Sequence, residues 1–490
     1  MNLTLISFVA LYLLGTLALG MWAGTRIKNT SDFAVAGRSL PLIMVITTTF
    51  ATWFGAETVM GIPAKFVQGG LNAVVEDPFG AGMCLILVGM FFAAKLYKLN
   101  LLTIGDYYRQ RYGKGIEIFC SVAIIMSYLG WVAAQITALG LVFTVLTAGA
   151  MTPAVGMIVG TLTVLIYVVV GGFLAVAVTD FIQMIVLVVG MSVIAWFAAD
   201  LAGGAGNVLA MAQQADLWRL MPEPNAKDVM FFIAAAITMM FGSIPQQDVF
   251  QRVMSAKDAP TARTGAIIGG ASYILFAFVP MFIVAAAVVV MGGQAMELAQ
   301  NDYQRLLPTF VMTKMPLVMQ ILFFGALLSA IKSTSSATLL APSTSFVENI
   351  LKNIRPGMSD RQQLLAMRVT IVIFAALVLM YAIAMEGTSI YELVSSAYQV
   401  PLVGAFVPLV MGLYWKRATT QGAILSIAGG LLTWVLFFEQ ITGWGVHFPG
   451  QLAGLMMAFV GMVVGSLAPQ VFTNYREVDV EAKAESAASA

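Results

Sequence analysis

The sequence has little of what soluble catalysts use. Of 490 residues one is histidine, two are cysteine and only 10% carry a charge, against about 25% in an ordinary soluble chain. The single histidine, His447, stands in a short loop, which argues against a histidine metal site or proton relay. Cys84 and Cys120 lie in apolar runs and offer neither metal spacing nor a disulfide framework. No nucleophile stands beside a base and there is no phosphate loop, so neither an enzyme nor an organic cofactor is expected. The net charge of +1 argues neither for nor against nucleic acid; no nucleic-acid partner and no obligate protein partner are expected.

What the sequence has is apolar length. Hydrophobic residues make up 60% of it and the mean hydropathy is +0.90, the composition of an all-α polytopic membrane protein whose solvent is the lipid bilayer. The opening run "LTLISFVALYLLGTLALGMWAG" is too long for a signal-peptide core and lacks a basic flank, so it reads as a retained first helix. Apolar runs of about 20 residues recur near 3–25, 41–63, 73–96, 117–147, 153–172, 176–199, 228–251, 263–291, 317–346, 364–385, 389–414, 420–438 and 451–472, thirteen spans in all. Of 25 lysines and arginines, 19 fall in one set of alternate loops and the C-terminal tail. Lys65, Arg219, Lys227, Arg305 and Lys314 fall in the other. The positive-inside rule then places the N-terminus outside and the C-terminus in the cytoplasm.

Two spans are irregular in the same way. The second, "LIMVITTTFATWFGAETVMGIP", and the seventh, "VMFFIAAAITMMFGSIPQQDVFQR", carry Phe54-Gly55 and Phe241-Gly242 at the same depth. They lie five spans apart and so cross in opposite directions. Interrupted helices at matching positions of inverted halves point to a transporter's binding site, and broken backbone at that depth must be buried or line a cavity. The competing reading is two unrelated glycine or proline kinks.

Four stretches carry a family resemblance: "GGFLAVAVTDFIQMIVLVVG" (171–190), "PQQDVFQRVMSAKD" (245–258), "SAIKSTSSATLL" (329–340) and "PLVMGLYWKRATTQGAILSIAGG" (408–430). In this order and on these spans they resemble the sodium/solute symporters, over nearly the whole chain. "ATWFGAE", "GWVAAQITALG" and "IPQQDVFQRV" are similar to the choline-transporter-like branch and its bacterial relatives. The resemblance implies a LeuT-like 5+5 inverted repeat, preceded by one helix and followed by two. The expected divisions are 1–40 (first helix and loop), 41–200 (first repeat), 201–227 (extracellular loop), 228–415 (second repeat), 416–473 (two helices) and 474–490 (a disordered cytoplasmic tail). The implied function is Na+-coupled symport of a small polar organic solute by alternating access, in the plasma (bacterial inner) membrane. Proton coupling, sodium-independent transport and a solute sensor built on a symporter-like domain are the alternatives, and a channel is disfavoured by the broken halves.

Residues for each role follow. In the ninth span Ala330, Ser333 and Thr334 share one helical face, and hydroxyls with free carbonyls suit a hard cation. The family likeness makes them sodium ligands, together with the carbonyls of Ala51 and Phe54 and the Asp180 carboxylate of "VTDFIQ". The competing reading for the hydroxyls is bonding back to the preceding turn. Solute candidates are Trp53, Glu57, Trp131, Gln135, Phe241, Gln246 and Gln247, with the aromatics open to plain helix packing. Gln246 stands where choline-type relatives carry a cage tryptophan, which leaves an amino acid, a quaternary amine and a small carboxylate all in play. Glu76 and Asp77 read as a solvated outer mouth, and Asp248 as an ion pair with Arg252 at i+4. The loops "TIGDYYRQRYGK" and "WKRATTQG" read as cytoplasmic anchors with gate contacts.

Lys332 is the anomaly. An ammonium within a span is costly and marks a partner or a pathway. By helical geometry it points roughly 150° away from the Ala330, Ser333 and Thr334 face. An ion pair or carbonyl cage with a neighbouring helix, a charge that modulates coupling, and a wet cytoplasmic vestibule are the three readings.

Overall fold

The computed structural model describes residues 2–437 and 447–472, and among them it is helical with no strand. The expected tail at 474–490 lies outside the described residues. We label the principal helices α1 (Leu3–Gly24), α2 (Leu42–Trp53), α3 (Glu57–Gly69), α4 (Leu71–Lys98), α5 (Ile104–Tyr112), α6 (Lys114–Leu146), α7 (Pro153–Leu201), α8 (Ala226–Gly242) and α9 (Gln247–Ser255). They continue as α10 (Ala259–Met291), α11 (Leu317–Ile354), α12 (Asp360–Ala384), α13 (Ile390–Tyr414), α14 (Thr420–Leu436) and α15 (Gly450–Leu467).

Among the described residues, nine helices are long and apolar enough to cross a membrane, or up to eleven if each bent pair is one span. The difference from the thirteen spans expected has two sources. The stretch α7 covers two expected spans that meet at a kink at Gly172, and α14, with 17 residues, is too short to qualify by length. At 1.5 Å per residue α7 would extend about 74 Å, more than twice the roughly 30 Å of a hydrocarbon core. Gly172 interrupts it, with φ 49° and ψ −153°, a region open almost only to glycine. A Cβ there would also lie 2.6 Å from the Phe33 ring and 2.7 Å from the Phe33 carbonyl oxygen. Gly172→Ala is therefore expected to cost at least about 2 kcal/mol, read as a lower melting temperature of the purified protein.

The two bent pairs are α2–α3, turning by 57°, and α8–α9, turning by 47°. In the second, Pro245 removes a backbone donor at the bend. Both breaks pack against α10 and α11 and hydrogen-bond to α6. Helix α5 clasps α13: Tyr108 and Tyr112 donate to the Ala405 and Pro408 carbonyls at 2.9 and 2.8 Å. Arg111 donates to the carbonyls of Gly412 and Ala418 at 3.2 and 2.7 Å. The "TIGDYYRQRYGK" stretch, expected as a loop, thus carries a nine-residue helix.

Candidate ion and solute sites

A helix that stops mid-course leaves carbonyls and amides without intrahelical partners. At the α2–α3 break the Ala56 amide donates instead to Gln135 Oε1 at 2.9 Å. The Ala51 carbonyl receives the hydroxyls of Ser333 (3.0 Å) and Thr334 (3.5 Å) from α11. Ser333 Oγ also lies 2.5 Å from Asp180 Oδ1, and Thr48 donates to Asp180 Oδ2 at 2.6 Å. All these groups are buried. Ser333 has one proton for two acceptors, so oxygens outnumber protons in this cluster. Such a gathering of buried oxygens is of the kind that suits a hard cation. Ala51, Asp180, Ser333 and Thr334 come together as expected, with Ala330 one turn before Thr334. Phe54 ends the broken helix (φ −84°, ψ 70°) with its ring stacked on Phe50 at 5.0 Å. Thr48 was missed, although it stands one turn before Ala51 on the same helix.

Beside this cluster lies an aromatic box. The Trp53 ring centroid is 6.1 Å from Trp131, 6.4 Å from Tyr273 and 6.3 Å from Tyr398; Trp131 and Tyr398 are 5.5 Å apart. Each indole is fixed by a carboxylate. Trp131 Nε1 donates to Glu57 Oε1 at 3.0 Å, and Trp53 Nε1 to Asp248 Oδ2 at 3.1 Å. Gln135 holds the second oxygen of Glu57 at 2.6 Å, and the Tyr128 hydroxyl holds the second oxygen of Asp248 at 2.5 Å. Tyr273 donates to Asp77 Oδ1 at 2.6 Å. Trp53, Glu57, Trp131 and Gln135 are thus united, and three carboxylates surround the rings.

Several expectations are corrected here. Phe241 does not join the box; its ring stacks on Phe406 at 4.9 Å, because its side of α8 faces α13. Gln247 accepts the Ile104 amide at 2.9 Å and so holds α5 instead of facing the box. Gln246, by contrast, keeps its expected place: it donates to Ser127 Oγ at 2.8 Å, next to Tyr128, and its Oε1 is buried with no hydrogen-bond partner among the described residues. Asp248 and Arg252 form no carboxylate–guanidinium pair. Arg252 instead donates to the Asp248 backbone carbonyl at 2.8 Å and to the Thr52 hydroxyl, since Trp53 and Tyr128 already occupy the carboxylate. Glu76 and Asp77 are buried, not solvated, with 6% and 2% of their surface exposed.

Lys332 is fully buried, which removes the wet vestibule. Its ammonium donates to Thr16 Oγ1 of α1 at 2.6 Å and lies 5.1 Å from the centroid of the Tyr167 ring. No carboxylate pairs with it among the described residues. The partner is a hydroxyl and a π face, in place of the ion pair or carbonyl cage. A charged ammonium at this position would oppose a cation entering beside Ser333. Lys332→Met is expected to raise the apparent sodium affinity about three- to tenfold, read from sodium titrations of uptake, and Lys332→Arg to leave it near the native value.

The chain belongs to the sodium:solute symporter family, which it matches over residues 33–430. It is a secondary active transporter of the membrane, a cation-coupled symporter of a small organic solute. It is 27% identical over 484 residues to the high-affinity choline transporter 1 of Caenorhabditis elegans, covering 92% of this chain and 81% of that one. It is also 27% identical over 489 residues to the sodium/pantothenate symporter of Escherichia coli (strain K12), covering 96% and 98%. In fold it follows the substrate-bound outward-open structure of a Na+-coupled sialic acid symporter, with a TM-score of 0.82 at 20% identity over 96% of this chain and 99% of that one. The LeuT-like fold inferred from motifs is thus the fold observed.

Proposed function

We propose that the coupling ion is Na+, bound by the Ala51, Phe54 and Ala330 carbonyls with Ser333, Thr334 and Asp180, and that the solute is a small cation held in the aromatic box. The observation that carries the ion assignment is the Ser333 hydroxyl between two acceptors. A bound Na+ would satisfy the surplus oxygens, and the Asp180 charge would offset its desolvation. The solute assignment rests on charge. Of the three relatives named above, one is named for a cation and two for acids, so they do not decide the charge. A carboxylate solute entering this box would meet Glu57, Asp77 and Asp248, and burying like charges together is strongly unfavourable. A cationic nitrogen gains from the same carboxylates and from the ring faces, each face contributing about 0.5–2 kcal/mol. Trp53, Glu57, Trp131 and Gln135 are the residues assigned to it, and Asp77, Asp248, Tyr128, Tyr273 and Tyr398 join them.

In this reading the N-terminus is outside, the C-terminus is cytoplasmic, and two five-helix halves at 41–200 and 228–415 alternate access across the plasma (bacterial inner) membrane. The test is the melting temperature of the purified protein in NaCl against choline-free KCl at equal ionic strength. Sodium-specific stabilisation that disappears in Ser333→Ala is expected. Equal melting temperatures in both salts would sink the ion assignment.

A further inference from the structure

We infer that the solute is a dication, with two ammonium groups on a short apolar spacer, and that Asp77 with Glu76 receives the second charge. This rests on the reading that a cation occupies the aromatic box.

The buried carboxylates differ in what they already hold. Both oxygens of Glu57 are taken, by Trp131 and Gln135, and both of Asp248, by Trp53 and Tyr128. They set the walls of the box but have few lone pairs to spare. Asp77 holds only the Tyr273 hydroxyl through Oδ1, and Glu76 only the Ser395 hydroxyl, at 2.6 Å, through Oε2. Asp77 Oδ2 and Glu76 Oε1 are buried and have no hydrogen-bond partner among the described residues. The Tyr398 hydroxyl, whose ring forms a wall of the box, is also buried without a partner. Buried polar groups are ordinarily satisfied, and exceptions call for an explanation. These orphans begin where the box ends, because Tyr273 is at once a box wall and the donor to Asp77.

The charges lead to the same place. Asp180 faces the ion cluster, Arg252 lies alongside Asp248, and Glu57 faces the first ammonium. Among the described residues Asp77 has no cation beside it, and Glu76 has only Lys65. The nearby Lys65 ammonium is 3.9 Å from Glu392, above the Tyr391 ring. A buried carboxylate without a counter-charge is costly, and loading a second ammonium removes that cost. An alkyl spacer between the two charges would lie along the rings.

The experiment uses the full chain in proteoliposomes with an inward sodium gradient, comparing radiolabelled 1,4-diaminobutane with 1-aminobutane. The expected result is a KM at least about tenfold lower for the diamine, a preference that falls to within about twofold in Asp77→Asn and persists in Asp77→Glu. Equal KM values for the two amines in the native protein would overturn the inference while leaving a cationic solute in place. So would a preference that survives in Asp77→Asn. Sodium-dependent uptake of neither amine would overturn the cationic reading, and this inference with it.

Discussion

Asp180→Asn should abolish sodium-driven accumulation. The carboxylate receives Thr48 and Ser333 at 2.6 and 2.5 Å, and among the described residues it is the one acidic side chain hydrogen-bonded into the ion cluster. An amide keeps the volume but removes the charge and turns one acceptor into a donor. In a buried site that amounts to the loss of a full counter-charge, about 3 kcal/mol or more, so the sodium concentration for half-maximal uptake should rise by about 100-fold or pass out of range. The measurement is a sodium titration of uptake, with the melting temperature as the control for folding. A folded Asp180→Asn protein with native sodium dependence would remove Asp180 from the site.

Gly55→Ala should damage ion and solute binding together. A Cβ at Gly55 would lie 2.5 Å from Glu57 Oε2, 2.7 Å from Thr334 Oγ1 and 2.8 Å from Gln135 Oε1. Thr334 belongs to the ion cluster, whereas Glu57 and Gln135 belong to the box. The glycine is the point at which the two sites touch, and it supplies a physical route for coupling. One methyl group cannot be accommodated without moving both sets, so apparent affinity for sodium and for solute should each fall at least about tenfold. Gly61→Ala is the control: its Cβ would meet Tyr391 at 3.4 Å or more, an ordinary contact. An effect of Gly55→Ala on solute KM alone would argue that the two sites are independent.

Local patterns made part of this site legible in the sequence. The α2 break shows in Phe54-Gly55, and helical spacing shows that Ala330, Ser333 and Thr334 share a face. Their role as ion ligands, with the Ala51 and Phe54 carbonyls, comes from the family resemblance. What escaped depends on distant partners. The i+4 spacing of Asp248 and Arg252 predicts an ion pair, but Trp53 and Tyr128 arrive from other helices and take the carboxylate first. Tyr273 lies in the apolar run "GGASYILF", where nothing local marks it as the donor to Asp77. Asp77 looked solvated because it opens a span, yet the α4 entry folds inward and buries it. Tyr128 was within reach, standing three residues before Trp131 on one helical face. For Lys332 the helical angle was right and the partner was not. Thr16 belongs to α1, outside both expected repeats, and no motif foretells where that helix docks.

The most direct test of the account is accumulation of a cationic amine by proteoliposomes under two opposed conditions. One imposes an inward sodium gradient at equal pH on both sides; the other imposes a pH gradient, acid outside, with sodium absent. The ion cluster of Ala51, Asp180, Ser333 and Thr334 predicts accumulation above equilibrium in the first condition and none in the second. Accumulation driven by the pH gradient alone would contradict it.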